Sequence, residues 1–117
     1  MTELAAKTCT PCRGGVEPLS MAAAEAFLED APGWQLKEGR LIERTYRFKN
    51  FRQAFAFVGA VADLAESEGH HPDITFGWGY ATISLHTHKI KGLHENDFIM
   101  AAKINRLIGA PGGLTSF

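Results

Sequence analysis

Cysteine is scarce in this 117-residue chain: Cys9 and Cys12 form a single CxxC and no other cysteine follows. Two thiols are too few for a disulfide framework, and one CxxC is only half of a four-ligand structural zinc site. Pro11 inside the motif and Arg13-Gly14-Gly15 after it read as turn, not as the strand-to-helix setting of a thioredoxin-like centre. The pair is expected to be reduced and inert, with zinc completed by histidine or by a second subunit as the alternative. An excess of either charge is also lacking, since 12 basic and 13 acidic residues leave a net charge of −1. That excludes the broad positive field through which proteins bind nucleic acid. No apolar run approaches the ~18 residues that span a bilayer, so no membrane partner is expected. The opening MTELAAKTCTPCRGG has neither the basic nor the apolar region of a secretory signal, which favours a cytoplasmic location.

What is present is an ordinary globular composition, 45% hydrophobic and 21% charged, enough for one domain around one core. Three stretches are expected: a flexible leader over 1–18 carrying the CxxC, a single domain over 19–109, and a frayed tail over 110–117. Ser20 can cap a helix over 20–30, in which Met21, Ala24, Phe27 and Leu28 share a stripe. Residues 34–37, a Glu38-Gly39 turn and residues 41–48 predict a hairpin. In its second strand Ile42, Tyr46 and Phe48 oppose Glu43, Thr45 and Arg47, while Arg44 falls on the apolar face with no reason in the pattern. Asn50 and Gln53 then open a helix with a broad stripe of Phe51, Ala54, Phe55, Val58, Val61, Ala62 and Ala65, widened by Phe57 and Leu64 and closed by Gly69.

Ile74, Phe76 and Trp78 alternate as a strand. A further strand over 81–88 puts Ala81, Ile83 and Leu85 on one face and Thr82, Ser84, His86 and His88 on the other. A last helix runs from about Glu95 to Leu107, with Asp97 suited to its positive end and Gly109 stopping it. The order α-ββ-α-ββ-α predicts an α+β fold, a four-stranded antiparallel sheet with three helices on one face. Its other face is left for water, a ligand or a subunit. A local basic excess at Lys37, Arg40, Arg44, Arg47, Lys49 and Arg52 is expected to be a solvated surface, with a patch for a protein partner as the lesser alternative.

Four of the five histidines, His70, His71, His86 and His88, crowd into one stretch. Imidazole is the side chain whose unperturbed pKa of ~6.5 lets it give or take a proton near neutrality. Proline holds the residue before it in extended geometry, so Pro72 gives His71 a defined direction. If the two C-terminal strands pair, His88 meets the His70-His71 loop at one edge of the sheet. Trp78 is then expected to supply an aromatic surface nearby. An acid/base or ligand site, a transition-metal site and plain surface histidines all fit the residues taken alone.

Glu66, His70-His71-Pro72, Trp78, His88 and Asp97, at this spacing, resemble the signature of the pterin-4a-carbinolamine dehydratases. The similarity extends outward through Gly33-Trp34, Glu38-Gly39-Arg40, Phe48-Lys49-Asn50-Phe51, Ala54-Phe55, Ser84-Leu85-His86-Thr87-His88 and Gly92-Leu93. The resemblance implies dehydration of 4a-hydroxytetrahydropterin to quinonoid dihydropterin, which recycles the pterin used by aromatic amino-acid hydroxylases. It implies no metal and no organic cofactor. It also implies His70, His71 and His88 as the catalytic groups, and Glu66, Pro72, Trp78 and Asp97 around the substrate. A homodimer or homotetramer is implied as well. The main alternative is a non-catalytic coactivator or assembly factor on the same fold. Three positions depart from the family pattern: His94 stands where a serine or threonine cap is common, Asn96 where a basic residue occurs in some members, and His86 where a small hydroxyl residue is usual.

Overall fold

The computed structural model describes residues 4–9 and 17–108. Helix α1 spans Met21–Leu28, β1 Gln35–Lys37, β2 Leu41–Arg47, α2 Phe51–Glu68, β3 Asp73–Gly77, β4 Tyr80–Leu85 and α3 Glu95–Leu107. Short 3-10 turns lie at Leu4–Ala6 and His88–Ile90. The four strands form one antiparallel sheet in the order β1-β2-β4-β3. The α+β architecture and its element order are those the sequence predicts. No helix among the described residues is long and apolar enough to cross a membrane.

Strand alternation decides which face carries the helices. Ile42, Tyr46, Ala81, Ile83 and Leu85 are buried on one face, beneath α2 and α3. On the other face the Thr45 and Thr82 hydroxyls share a hydrogen bond of 2.8 Å, and Ser84 donates to Glu43 at 2.8 Å. Arg44 lies on the apolar side yet escapes at the sheet edge. Its guanidinium sits 4.4 Å from the Tyr46 ring centroid and donates at 2.8 Å to both the Pro32 carbonyl and Asn105 Oδ1. Asn105 Oδ1 also accepts from Trp34 Nε1 at 3.0 Å and from the Tyr46 hydroxyl at 2.5 Å. Gly33 makes room for this cluster: its φ is +88°, and a Cβ there would lie 2.5 Å from Arg44 Cζ.

Helix α2 starts where Asn50 Oδ1 accepts from the Gln53 amide at 2.8 Å. It ends at Gly69 in the left-handed region, whose amide donates to Ala65 at 2.9 Å. Its buried line is Ala54, Phe57, Val61 and Ala65. The expected stripe was centred too far round the helix, because Phe51 and Phe55 remain 49% and 56% exposed. They flank the sheet edge instead, 5.6 and 6.0 Å from the Phe76 ring. In α1 the expected inward Met21 is exposed, whereas Ala24 is buried and Phe27 stacks on Phe98 of α3 at 5.4 Å.

The N-terminal residues 4–9 pack against the body of the protein. Leu4 is buried, Lys7 pairs with Glu95 at 2.5 Å, and the Ala5 carbonyl accepts from Lys103 at 3.0 Å. The rest of the expected leader, residues 1–3 and 10–16 with Cys12, the expected helix stop Gly109 and the expected tail over 110–117 lie outside the described residues.

Candidate active site

Local chain geometry brings the histidines to one end of the sheet. The left-handed turn at Gly69 breaks α2 and releases His70 and His71 immediately before Pro72 and β3. Asp73 opens β3 opposite Ser84, near the exit of β4. The strand expected to reach His88 stops at Leu85. A bridge between Thr87 and Gly92 then folds the chain over, so that His88 opens a 3-10 turn. Residues 69–73 and 86–89 thereby line one cleft of about 250 Å³. His70, His71 and His88 share it, as do Pro72, Asp73, His86, Thr87 and Lys89.

Asp97 organises the floor behind this cleft. It is 0% exposed, so its carboxylate must be satisfied within the protein. Oδ1 lies 2.6 Å from His70 Nε2, while Oδ2 accepts from Thr87 Oγ1 at 2.9 Å and from the His94 amide at 3.0 Å. The carboxylate also stands in the first turn of α3, where the helix dipole favours a negative charge. A carboxylate only accepts, so His70 donates its Nε2–H to Asp97, which leaves Nδ1 as the nitrogen able to exchange a proton. His94 fills the cap position with Nδ1, which accepts from the Asn96 amide at 3.0 Å, so the missing serine or threonine is functionally replaced.

The other two matched histidines are more open. His71 Nε2 lies 2.5 Å from Glu66 Oε2, a pair formed between the last turns of α2 and the loop after it, on the surface. His88 Nδ1 lies 3.1 Å from His86 Nε2, with ring centroids 4.0 Å apart. Each catalytic candidate thus has one ring nitrogen engaged by a neighbour and the other uncommitted by it. His86 and His88 also line a second cavity of about 460 Å³, together with Arg40, Leu41 and Lys91.

With this geometry in place, the comparisons with known proteins are specific. Residues 17–107 match the family described as pterin 4 alpha carbinolamine dehydratase. The chain belongs to that family. A relative from Azoarcus sp. (strain BH72), provisionally named a pterin-4-alpha-carbinolamine dehydratase, is 54% identical over 114 residues, covering 97% of both chains. One from Cupriavidus pinatubonensis, with the same provisional name, is 59% identical over 107 residues, covering 90% of this chain and 91% of its own. Among solved structures, a transcriptional coactivator/pterin dehydratase from Brucella melitensis superposes with a TM-score of 0.71 at 34% identity, covering 76% of this chain and 96% of that one. A pterin dehydratase-like protein identified as a RuBisCO assembly factor in the α-carboxysome gives a TM-score of 0.55 at 29% identity, covering 67% and 89%.

Not every residue that the family resemblance implied reaches the cleft. Glu66 and Asp97 stand behind His71 and His70 as their carboxylate partners, and Pro72 lines the wall. Trp78 is placed elsewhere. It sits in the turn between β3 and β4, 71% exposed, at the opposite end of that hairpin from His70 and His71. The strand reading took Trp78 as part of β3, but the pair Gly77↔Tyr80 closes the ladder before it. Asp73, Thr87 and Lys89 line the cleft without having been singled out for the site, and His86, counted in the histidine cluster but given no role, lines it too. Two-residue periodicity beyond Ser84 carried the signal for His86, because it puts His86 on the same side as Ser84 and hence near Asp73. Cys9 lies apart, half-buried, with its amide donating to Glu68 Oε1 at 2.9 Å. Burial, then the Glu68 carboxylate, push its thiol from an ordinary 9.0 up to about 12.

Proposed function

We propose that this protein dehydrates 4a-hydroxytetrahydropterin to quinonoid dihydropterin, recycling the pterin oxidised by aromatic amino-acid hydroxylases, in the cytoplasm. The observation that carries this reading is the single cleft shared by His70, His71 and His88, with a buried carboxylate fixing the first. Hydroxide is a poor leaving group, so the oxygen on C4a must be protonated as its bond breaks. The C4a–O pair departs as water, the N5 lone pair forms the new C=N bond, and one proton then leaves the ring system. An acid and a base are therefore needed on a small planar substrate, with no electron acceptor and no Lewis acid.

His71 and His88 are the acid/base pair in this scheme. His71 offers Nδ1 while Glu66 holds Nε2, and His88 offers Nε2 while His86 holds Nδ1. His70, locked by Asp97, orients the substrate and accepts or returns a proton through Nδ1. Glu66 and Asp97 act through the imidazoles they hold and are positioning residues. The scheme assigns no role to Trp78. Positioned acid/base groups are worth about 10²–10⁴-fold in rate. The test follows 4a-carbinolamine, generated by a hydroxylase, with and without this protein. The protein accelerates its disappearance; His71→Ala and His88→Ala lose that acceleration with unchanged circular dichroism, and chelators leave the wild-type rate intact. Decay unaffected by the wild-type protein overturns the proposal.

A non-catalytic, protein-binding role is the second reading, favoured by the likeness to the RuBisCO assembly factor. It predicts a stable partner complex that survives substitution of all three histidines. Self-association as a dimer or tetramer belongs to the first reading, and it is supported by the exposed Phe51 and Phe55, which form an aromatic strip with Phe76 at the β3 edge of the sheet.

A further inference from the structure

Asp73, His86 and His88 each present a ligand atom, and these atoms all lie within 4.8 Å of one another. We infer that this trio is a binding site for a divalent transition ion of the zinc and cobalt type, and that the ion competes with the use of His88 in proton transfer. The inference rests on the proposed dehydratase function for that consequence only; the site itself stands on the geometry.

Topology assembles the trio without long-range luck. Asp73 pairs with Ser84, so its carboxylate stands on the open face of the sheet at the start of β3. His86 follows Ser84 by two residues, just past the end of β4, and the turn that opens at His88 sets that ring against His86. A tetrahedral ion with bonds of 2.0–2.1 Å to two imidazoles separates their nitrogens by about 3.3 Å. His86 Nε2 and His88 Nδ1 are already 3.1 Å apart. Both rings are partly or fully open to solvent, so they can turn about their side-chain bonds to aim both lone pairs at one ion.

The proton inventory closes. In the metal-free protein the two facing nitrogens share one N–H, because a neutral imidazole is a donor at one nitrogen and an acceptor at the other. When the ion arrives, the donating ring carries its proton on its opposite nitrogen instead. Two neutral imidazoles and one carboxylate then bind the dication, with water completing the shell. This N₂O donor set suits zinc, cobalt, nickel and copper better than magnesium or calcium. Arg40 and Lys91, which line a cavity together with both imidazoles, oppose extra positive charge and make the ion reversible rather than structural.

Occupancy has a chemical consequence for His88. With the ion on Nδ1, Nε2 holds its proton and no longer accepts one, and the ion with its water stands in the cleft shared with His70 and His71. A metal-independent enzyme would thus be switched off by a metal.

The experiment titrates the full-length, chelator-treated protein with Co²⁺, read by visible absorption and calorimetry, and displaces the cobalt with Zn²⁺. One ion per chain is expected, and Asp73→Asn and His86→Ser each weaken binding by about tenfold or more. No stoichiometric binding, or binding unchanged in both variants, overturns the site. In parallel, dehydration of enzymatically generated 4a-carbinolamine is measured against occupancy. Wild-type rate falls with metal bound, and with each rate taken relative to that protein's own metal-free rate, the same fractional fall needs about tenfold or more Zn²⁺ in Asp73→Asn. A rate indifferent to bound metal overturns the competition. A metal-free protein without dehydratase activity sinks the functional proposal instead, and the cobalt spectrum still decides the site.

Discussion

Asp97 and Asn105 are both polar residues on a mostly buried helix, and they differ in what they hold. The Asp97 carboxylate meets His70, Thr87 and the His94 amide, three partners drawn from the loop after α2 and the chain after β4. Replacing it by asparagine keeps the volume and removes the charge that selects the His70 tautomer. Asp97→Asn is expected to lower kcat by about 10–100-fold, the usual cost of losing the carboxylate behind a working histidine. A positioning role predicts that the fall is mainly in kcat rather than KM, with a shifted pH–rate profile; steady-state kinetics across pH checks this. Equal losses in Phe27→Ala, which does not line the cleft, would instead mark a general loss of fold. The sequence pointed to Asp97 as a good residue for a helix start and, through the family resemblance, as part of the site. It did not show that the carboxylate serves His70, because that contact joins residues 27 positions apart.

Elements are tied together by the Asn105 cluster. One amide oxygen on α3 receives Trp34 before β1, Arg44 of β2 and the Tyr46 hydroxyl, while the amide nitrogen donates to the Pro32 carbonyl at 2.9 Å. This accounts for Arg44 on the apolar face: the sheet edge gives its guanidinium a carbonyl, an amide oxygen and a tyrosine face at once. Asn105→Leu leaves these donors without their acceptor, at about 1–3 kcal/mol for each group that stays buried and unsatisfied. Thermal and urea unfolding are expected to show a loss of about 2–4 kcal/mol with the active-site cleft unaltered. Alternation of side chains made both hairpins legible, yet it misplaced Trp78 and the end of β4. The backbone pairing Gly77↔Tyr80 and the bridge Thr87↔Gly92 decided those limits, and neither depends on side-chain polarity.

For the whole molecule, the half-buried Cys9 thiol and the buried Tyr46 hydroxyl bear on stability at alkaline pH. Burial raises the Cys9 thiol from 9.0 to about 12 and the Tyr46 hydroxyl from 10.0 to about 12. Both groups therefore favour the folded state while neutral. Their contribution is fully present below the unfolded values and is lost as pH rises through the folded ones. Stability is expected to fall between pH 9 and 12, and Cys9→Ser to lessen that fall; urea midpoints across this range test it. Native Cys9 should likewise resist thiol reagents at neutral pH and react once the protein is unfolded. The proposed self-association makes a separate demand. Phe55→Glu puts a charge into the aromatic strip beside Phe51 and Phe76, so sedimentation should show a smaller species with the monomer fold intact.

Composition and periodicity alone were enough for one α+β domain, its element order and the caps at Ser20, Asn50 and Gly69, because these follow from short-range backbone chemistry and from which side chains avoid water. Histidine crowding together with the family signature also singled out His70, His71 and His88. Convergence needed the folded chain. The β3–β4 register brings Asp73 beside His86, the turn after Leu85 swings His88 toward the 70–71 loop, and α3 delivers Asp97 from below. Such meetings are set by packing between segments far apart in the chain, and no local pattern encodes them.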